Sequence, residues 1–170
     1  WFNYGYLEYR IPRTLTGEET LEEFIINLEL CSEALGYNED WPSDVFFQIN
    51  DLDIGTVHLL GDYGGRRGRL NPKWWNVSST QYGLLHWIKV TPQGTFIDGQ
   101  YESSVTTKDI QKWNKPYWSI KFGVRKDAEY CGGLNLFGKQ FGDFNQGIVC
   151  ELRINNNSKE STLNPPQAEN

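Results

Sequence analysis

This chain of 170 residues is short of several things, and each shortage removes a class of function. It has no run of apolar residues long enough to span a bilayer, so no membrane partner is expected. Basic residues are outnumbered, 16 Lys and Arg against 22 Asp and Glu, which leaves a net charge of −6 and no general attraction to nucleic acid or to an acidic membrane. Cysteine is scarce: Cys31, Cys131 and Cys150 form an odd set without CxxC spacing, which supports neither a disulfide scaffold nor a zinc site. Reduced thiols and a cytoplasmic location are the default. Only two histidines occur, His58 and His86, each inside a strand-like pattern, where a structural role outweighs metal ligation. No GxSxG is present, and the glycines from Gly61 to Gly68 lack the Gly-Lys-Ser/Thr ending of a phosphate loop, with no helix after them. Nucleophilic catalysis and nucleotide binding are set aside on those grounds. No internal repeat is visible. The chain starts Trp-Phe-Asn-Tyr without an initiator Met, and it reads as an excised piece of something longer.

What the chain does have is aromatic residues and period-two alternation. Aromatics make up 15%, with seven Trp, nine Tyr and nine Phe. Residues 24–31 alternate, with Phe24, Ile26, Leu28 and Leu30 on one face, as a half-buried strand does. Residues 4–11, 45–50, 52–59, 84–90, 95–98, 118–125 and 148–154 read as further strands, and 104–107 as a short one. Asn50-Asp51 and Pro92-Gln93-Gly94 mark hairpins, because Asn, Asp and Gly tolerate the backbone of tight turns. Asp98-Gly99 is another turn dipeptide. The acidic stretch 18–23 can form a helical turn, and 107–112 another, with Thr107 as its N-cap. Many short strands, hairpins and long loops predict an all-β fold, an antiparallel β-sandwich of jelly-roll type. Residues 1–154 form the ligand-sensing domain in this reading. Residues 155–170 are a polar C-terminal tail with almost nothing to bury.

Two loops stand out. Residues 61–76 combine four glycines, three arginines, Tyr63 and the pair Trp74-Trp75, and residues 126–146 form a second glycine-rich segment. Loops this long and irregular tend to carry function. Flat aromatic faces beside planar donors suit a small polar ligand such as a sugar. Trp41, Tyr63, Trp74, Trp75 and Tyr82 can supply faces; Glu33, Asp62, Arg66, Arg67 and Asn135 can supply polar groups. No catalytic residue, cofactor or metal is assigned. Asp51 and Asp53 resemble the start of a calcium loop but lack its remainder, and Asn38, Glu39, Asp40 and Asp44 read better as solvated acids and amides. A glycoside hydrolase would need two facing carboxylates, with Glu29, Glu33, Asp44, Asp62 and Glu129 as the candidates. That enzyme, or an accessory sugar-binding module of one, is the alternative, and a ligand-free dimerisation domain is a third.

Several strings in order carry a family resemblance: residues 1–10, Glu29-Leu30-Cys31-Ser32-Glu33-Ala34 with 38–44, Ile49-Asn50-Asp51 with Ile54-Gly55-Thr56, and Gly61-Asp62-Tyr63-Gly64 through Trp74-Trp75. Gln81-Tyr82-Gly83-Leu84-Leu85, 94–99, and Asp127-Ala128-Glu129 with 132–138 complete the set. Together, over roughly residues 1–154, they resemble the C-terminal β-rich domain of bacterial transcriptional regulators that begin with an ArsR-type winged helix. The resemblance implies an effector-sensing domain with a small-molecule effector, a β-rich fold like that of carbohydrate-binding modules, and contact with DNA only through a missing N-terminal domain; a homodimer is a separate option. His58-Leu59-Leu60 departs from the more polar, Trp-containing stretch of that family, so the rim of the site is expected to differ.

Overall fold

A computed structural model describes residues 1–16 and 19–156. In chain order the elements are β1 (Gly5–Pro12), β2 (Glu19–Cys31), β3 (Ser43–Ile49), β4 (Leu52–Leu59), β5 (Leu84–Thr91), β6 (Gly94–Ile97) and β7 (Gln100–Ser103), then α1 (Thr107–Gln111), β8 (Tyr117–Val124), β9 (Asn135–Leu136) and β10 (Val149–Asn156). The strands form two antiparallel sheets. One has the order β1-β8-β3-β4; the other runs β10-β2-β5-β6-β7, with β9 also paired to β2. The fold is therefore an all-β sandwich. The polar tail expected at 155–170 begins with two residues of β10, and 157–170 lie outside the described residues.

Alternation explains the core. Phe24, Ile26, Leu28 and Leu30 of β2 and Ile88 and Val90 of β5 face Val45, Phe47 and Ile49 of β3 and Trp118, Ile120 and Phe122 of β8, all buried in one cluster. Each such side chain contributes about 1.5–3 kcal/mol on leaving water. Trp118 meets Phe24 edge-on at 5.6 Å, and Phe47 stacks on Phe122 at 5.3 Å. Asn50 and Asp51, at φ 53° and 63°, make the two-residue turn between β3 and β4; Asp98 and Gly99, at 49° and 84°, do the same between β6 and β7. These are the positive φ angles that primed hairpin turns require.

Three expectations are corrected. The acidic stretch 18–23 is extended from Glu19 onward, because Glu23 pairs across the sheet with Lys89 at 3.3 Å and Arg153 at 2.7 Å. The short strand lies at Gln100–Ser103 instead of 104–107, since the turn at Asp98-Gly99 pairs Ile97 with Gln100 at once. The helix N-cap is Thr106, not Thr107: the Asp109 carboxylate accepts its N–H at 3.0 Å and its Oγ–H at 2.6 Å, reaching back from the third helical position.

One further difference positions the site. β2 is buried on both faces: Ile25, Asn27, Glu29 and Cys31, on the face away from the core, are each at most 3% exposed. The glycine-rich segment between β9 and β10 covers that face. There Asp143 and Phe144 donate their N–H groups to Glu29, and the Gln146 side-chain amide donates to Asn27 Oδ1 at 2.5 Å.

Candidate ligand-binding site

The arginine loop is knitted to its surroundings by its own polar residues. Asp62 is fully buried and accepts hydrogen bonds from the Ala34 N–H at 3.0 Å, the Thr80 hydroxyl at 2.9 Å and the Cys31 thiol at 3.6 Å. Gly61 passes so close to the Glu39 backbone that a Cβ would sit 2.1 Å from its carbonyl oxygen. Arg67 closes the loop on itself by donating to the carbonyls of Pro72, Lys73 and Trp75 at 2.8, 3.2 and 3.1 Å. Arg66 makes a two-pronged ion pair with Asp143 and lies 3.7 Å over the ring of Tyr82, which stacks on Tyr63 at 5.4 Å. The guanidinium beside it holds the Asp143 carboxyl below the usual range.

These contacts fasten the two glycine-rich loops to each other. Asn71 adds a link by accepting from the Gly142 N–H at 2.8 Å. Trp74, Trp75 and Phe141 complete it as an edge-to-face cluster, with centroids 5.0–5.9 Å apart. Trp75 is fixed further by its indole N–H, which donates to Thr80 O at 2.8 Å, while Trp74 stays 74% exposed.

Beside this cluster opens a cleft of about 390 Å³, within the roughly 300–1,000 Å³ of small-molecule sites. Its walls are Trp1, Leu35, Trp75, Phe137 and Phe141; its polar groups include Glu33, Thr80 and Asn135. A second lobe of about 510 Å³ shares Trp1, Glu33, Ala34 and Leu35 with the first and is bounded by Tyr4 and Trp41. The antiparallel bridge of Phe2 to Leu134 holds the first residues of the chain at this rim. Pairing of β9 with the end of β2 sets Asn135 opposite Cys31. From there its side-chain amide donates to Ser32 O at 2.8 Å and to Glu33 Oε2 at 2.5 Å. Asp62 lies under this floor and secures the Ala34 segment from below.

Glu33 is half-buried in the cleft. Burial raises its pKa above the ordinary carboxylate value, and the Asp62 charge pushes the same way, while the Asn135 hydrogen bond opposes both. A raised carboxyl pKa contributes stability that is full below the unfolded pKa and is lost as pH rises through the folded one. Glu33→Gln, permanently uncharged, is therefore expected to be at least as stable as the natural chain at neutral pH. Its loss of stability between mildly acidic and neutral pH should be smaller. Urea unfolding at the two pH values checks this; a variant clearly less stable at neutral pH would show that Glu33 is a structural carboxylate.

Of the residues singled out from sequence, Glu33, Trp41, Trp75 and Asn135 line the two lobes. Asp62 lies beneath them. Tyr63, Arg66, Arg67 and Tyr82 are engaged in the loop's own contacts, and Trp74 stands outside the lining. Sequence reasoning missed Trp1, Leu35, Phe137 and Phe141. Leu35, fully exposed between Ala34 and Gly36, and the two phenylalanines in a glycine-rich loop were the available signals. Among the described residues, no group of three or more His, Cys, Asp or Glu could hold a metal ion, and no helix is long and apolar enough to cross a membrane. The three cysteines are free. Comparison of the chain with protein-family models, with curated proteins and with solved structures finds no match.

Proposed function

We propose that this domain binds a small hydroxylated ligand, a carbohydrate or other polyol, in the cleft around Glu33 and Asn135, and does not transform it. The observation that carries the proposal is a half-buried carboxylate, oriented by Asn135, inside a cleft walled by Trp1, Trp75, Phe137 and Phe141. Aromatic faces suit the flat C–H faces of a sugar ring, and a fixed carboxylate and amide suit its hydroxyls. A half-buried carboxylate at a cleft wall costs stability, and such groups cluster at functional sites. Glycoside hydrolysis calls for two carboxyl groups across the scissile bond. Among the described residues Glu33 is the one carboxylate lining either lobe, and Asp62 beneath it is occupied by the backbone of Ala34 and the hydroxyl of Thr80. These features favour binding over turnover.

In the setting that the sequence motifs imply, the domain would be the sensing half of a regulator. Trp1 lines both lobes, so any segment preceding it would leave from the rim of the cleft. Occupancy there would shift the positions available to that segment as a change in population.

Titration with mono- and oligosaccharides, followed by tryptophan fluorescence and amide chemical shifts, tests the proposal. Saturable binding with shifts at residues 33–36, 75–80 and 135–141 is expected. Trp75→Ala should weaken it about tenfold, roughly 1.4 kcal/mol. Saturable binding that Trp75→Ala and Glu33→Gln both leave unchanged would place the site elsewhere.

A further inference from the structure

We infer that the cleft selects a positively charged ligand, one whose organic ammonium group seats against Glu33 among the aromatic rings. The inference rests on the cleft being the binding site and adds the charge of what it binds. Glu33 lines both lobes, and among the described residues neither lobe is lined by a Lys or an Arg. Among the described residues the carboxylate has one side-chain hydrogen bond, from Asn135. A carboxylate taken partly out of water without a counter-charge is costly, and a cation beside it removes the cost.

Three observations point to a cation over a second neutral donor. Burial and the charge of Asp62 both disfavour the ionised form of Glu33, and a positive charge offsets the two together. A ligand ammonium seated inside the cleft would supply that charge. The walls supply the second half of a cation site. Trp1, Trp75, Phe137 and Phe141 frame one lobe, and Trp1, Tyr4 and Trp41 the other; the negative face of an aromatic ring attracts an ammonium, most of all where water is excluded. The net charge of −6 adds a weak, salt-sensitive pull of the same sign.

The test pairs ligands of one shape and different charge: choline against dimethylbutanol, its uncharged carbon isostere, and glucosamine against glucose. Binding is followed by tryptophan fluorescence and calorimetry near neutral pH. Each cation is expected to bind about tenfold tighter than its neutral partner or better. Glu33→Gln should remove most of that difference. Rising salt should weaken choline and leave dimethylbutanol unchanged, a result read on the natural chain and so independent of how the variant folds. Equal affinity of glucose and glucosamine, with no salt dependence, would overturn the charge preference and leave the sugar-binding proposal standing. No binding by any of the four, nor by the saccharide panel, would overturn both.

Discussion

Replacing Glu29 by Ala is expected to lower the stability of the domain by about 3 kcal/mol and to release the glycine-rich segment that covers β2. Glu29 is 1% exposed. Its carboxylate accepts the Gly83 and Asp143 N–H groups, each at 2.9 Å, and the Phe144 N–H at 3.1 Å, which joins two loops to one strand. Removing the acceptor leaves three amides without a partner, each costing about 1–3 kcal/mol before the loop relaxes toward water. Gly142, at φ 80°, lies against the carboxylate so closely that a Cβ would stand 2.4 Å from Oε1. Burial raises the Glu29 pKa, and the three amides oppose that rise. Gln is expected to rescue only in part: its carbonyl oxygen can keep the Gly83 and Asp143 N–H groups that share Oε1, while its NH₂ would face the Phe144 N–H. Urea unfolding measures the loss, and hydrogen exchange at residues 83, 143 and 144 should speed up locally. Because Phe141 precedes Gly142, the same variant should weaken any ligand of the cleft. A loss below about 1 kcal/mol would mean that the Trp74, Trp75 and Phe141 cluster holds the loop by itself.

Trp118→Ala is expected to cost about 4 kcal/mol without altering the cleft. The indole is fully buried, meets Phe24 edge-on at 5.6 Å and carries the Arg13 guanidinium 4.8 Å from its ring centroid. It sits on β8, which bonds both β1 and β3, so the cavity would open in the middle of one sheet. Its buried Nε1 has no hydrogen-bond partner among the described residues, so truncation removes packing and sacrifices no hydrogen bond. In a domain of this size, such a loss corresponds to roughly 8–16 °C in the melting temperature. Calorimetry checks it, and Trp118→Phe should recover most of the loss. A melting temperature lowered by only a few degrees would show that the core collapses around the vacancy.

The strands were legible because side-chain direction repeats every two residues wherever one face is buried. Residues 118–125 and 45–50 show this plainly, and β8 and β3 follow them closely. Alternation is silent about what covers the other face. Glu29 and Asn27 look like the outward side of a half-buried strand, yet a loop more than a hundred residues further along supplies their partners. The site was legible in the same partial way. Glu33 and Asn135 were named as polar candidates, but they meet only because β9 pairs with the end of β2, across 102 residues of chain.

By itself the sequence determined the all-β class, the two-residue turns at Asn50-Asp51 and Asp98-Gly99, and the aromatic richness of the loops. Each follows from short-range sterics or from composition, which need no knowledge of distant neighbours. Tertiary structure alone decided which polar groups remain available to a ligand. Arg66, Arg67 and Asp62 have the chemistry of binding residues, but Asp143, three loop carbonyls and the Ala34 amide already occupy them. Glu33, held by one amide between apolar walls, has capacity left over. Hydrogen-bonding capacity is a property of residue type, whereas its satisfaction depends on which loops the fold brings into contact.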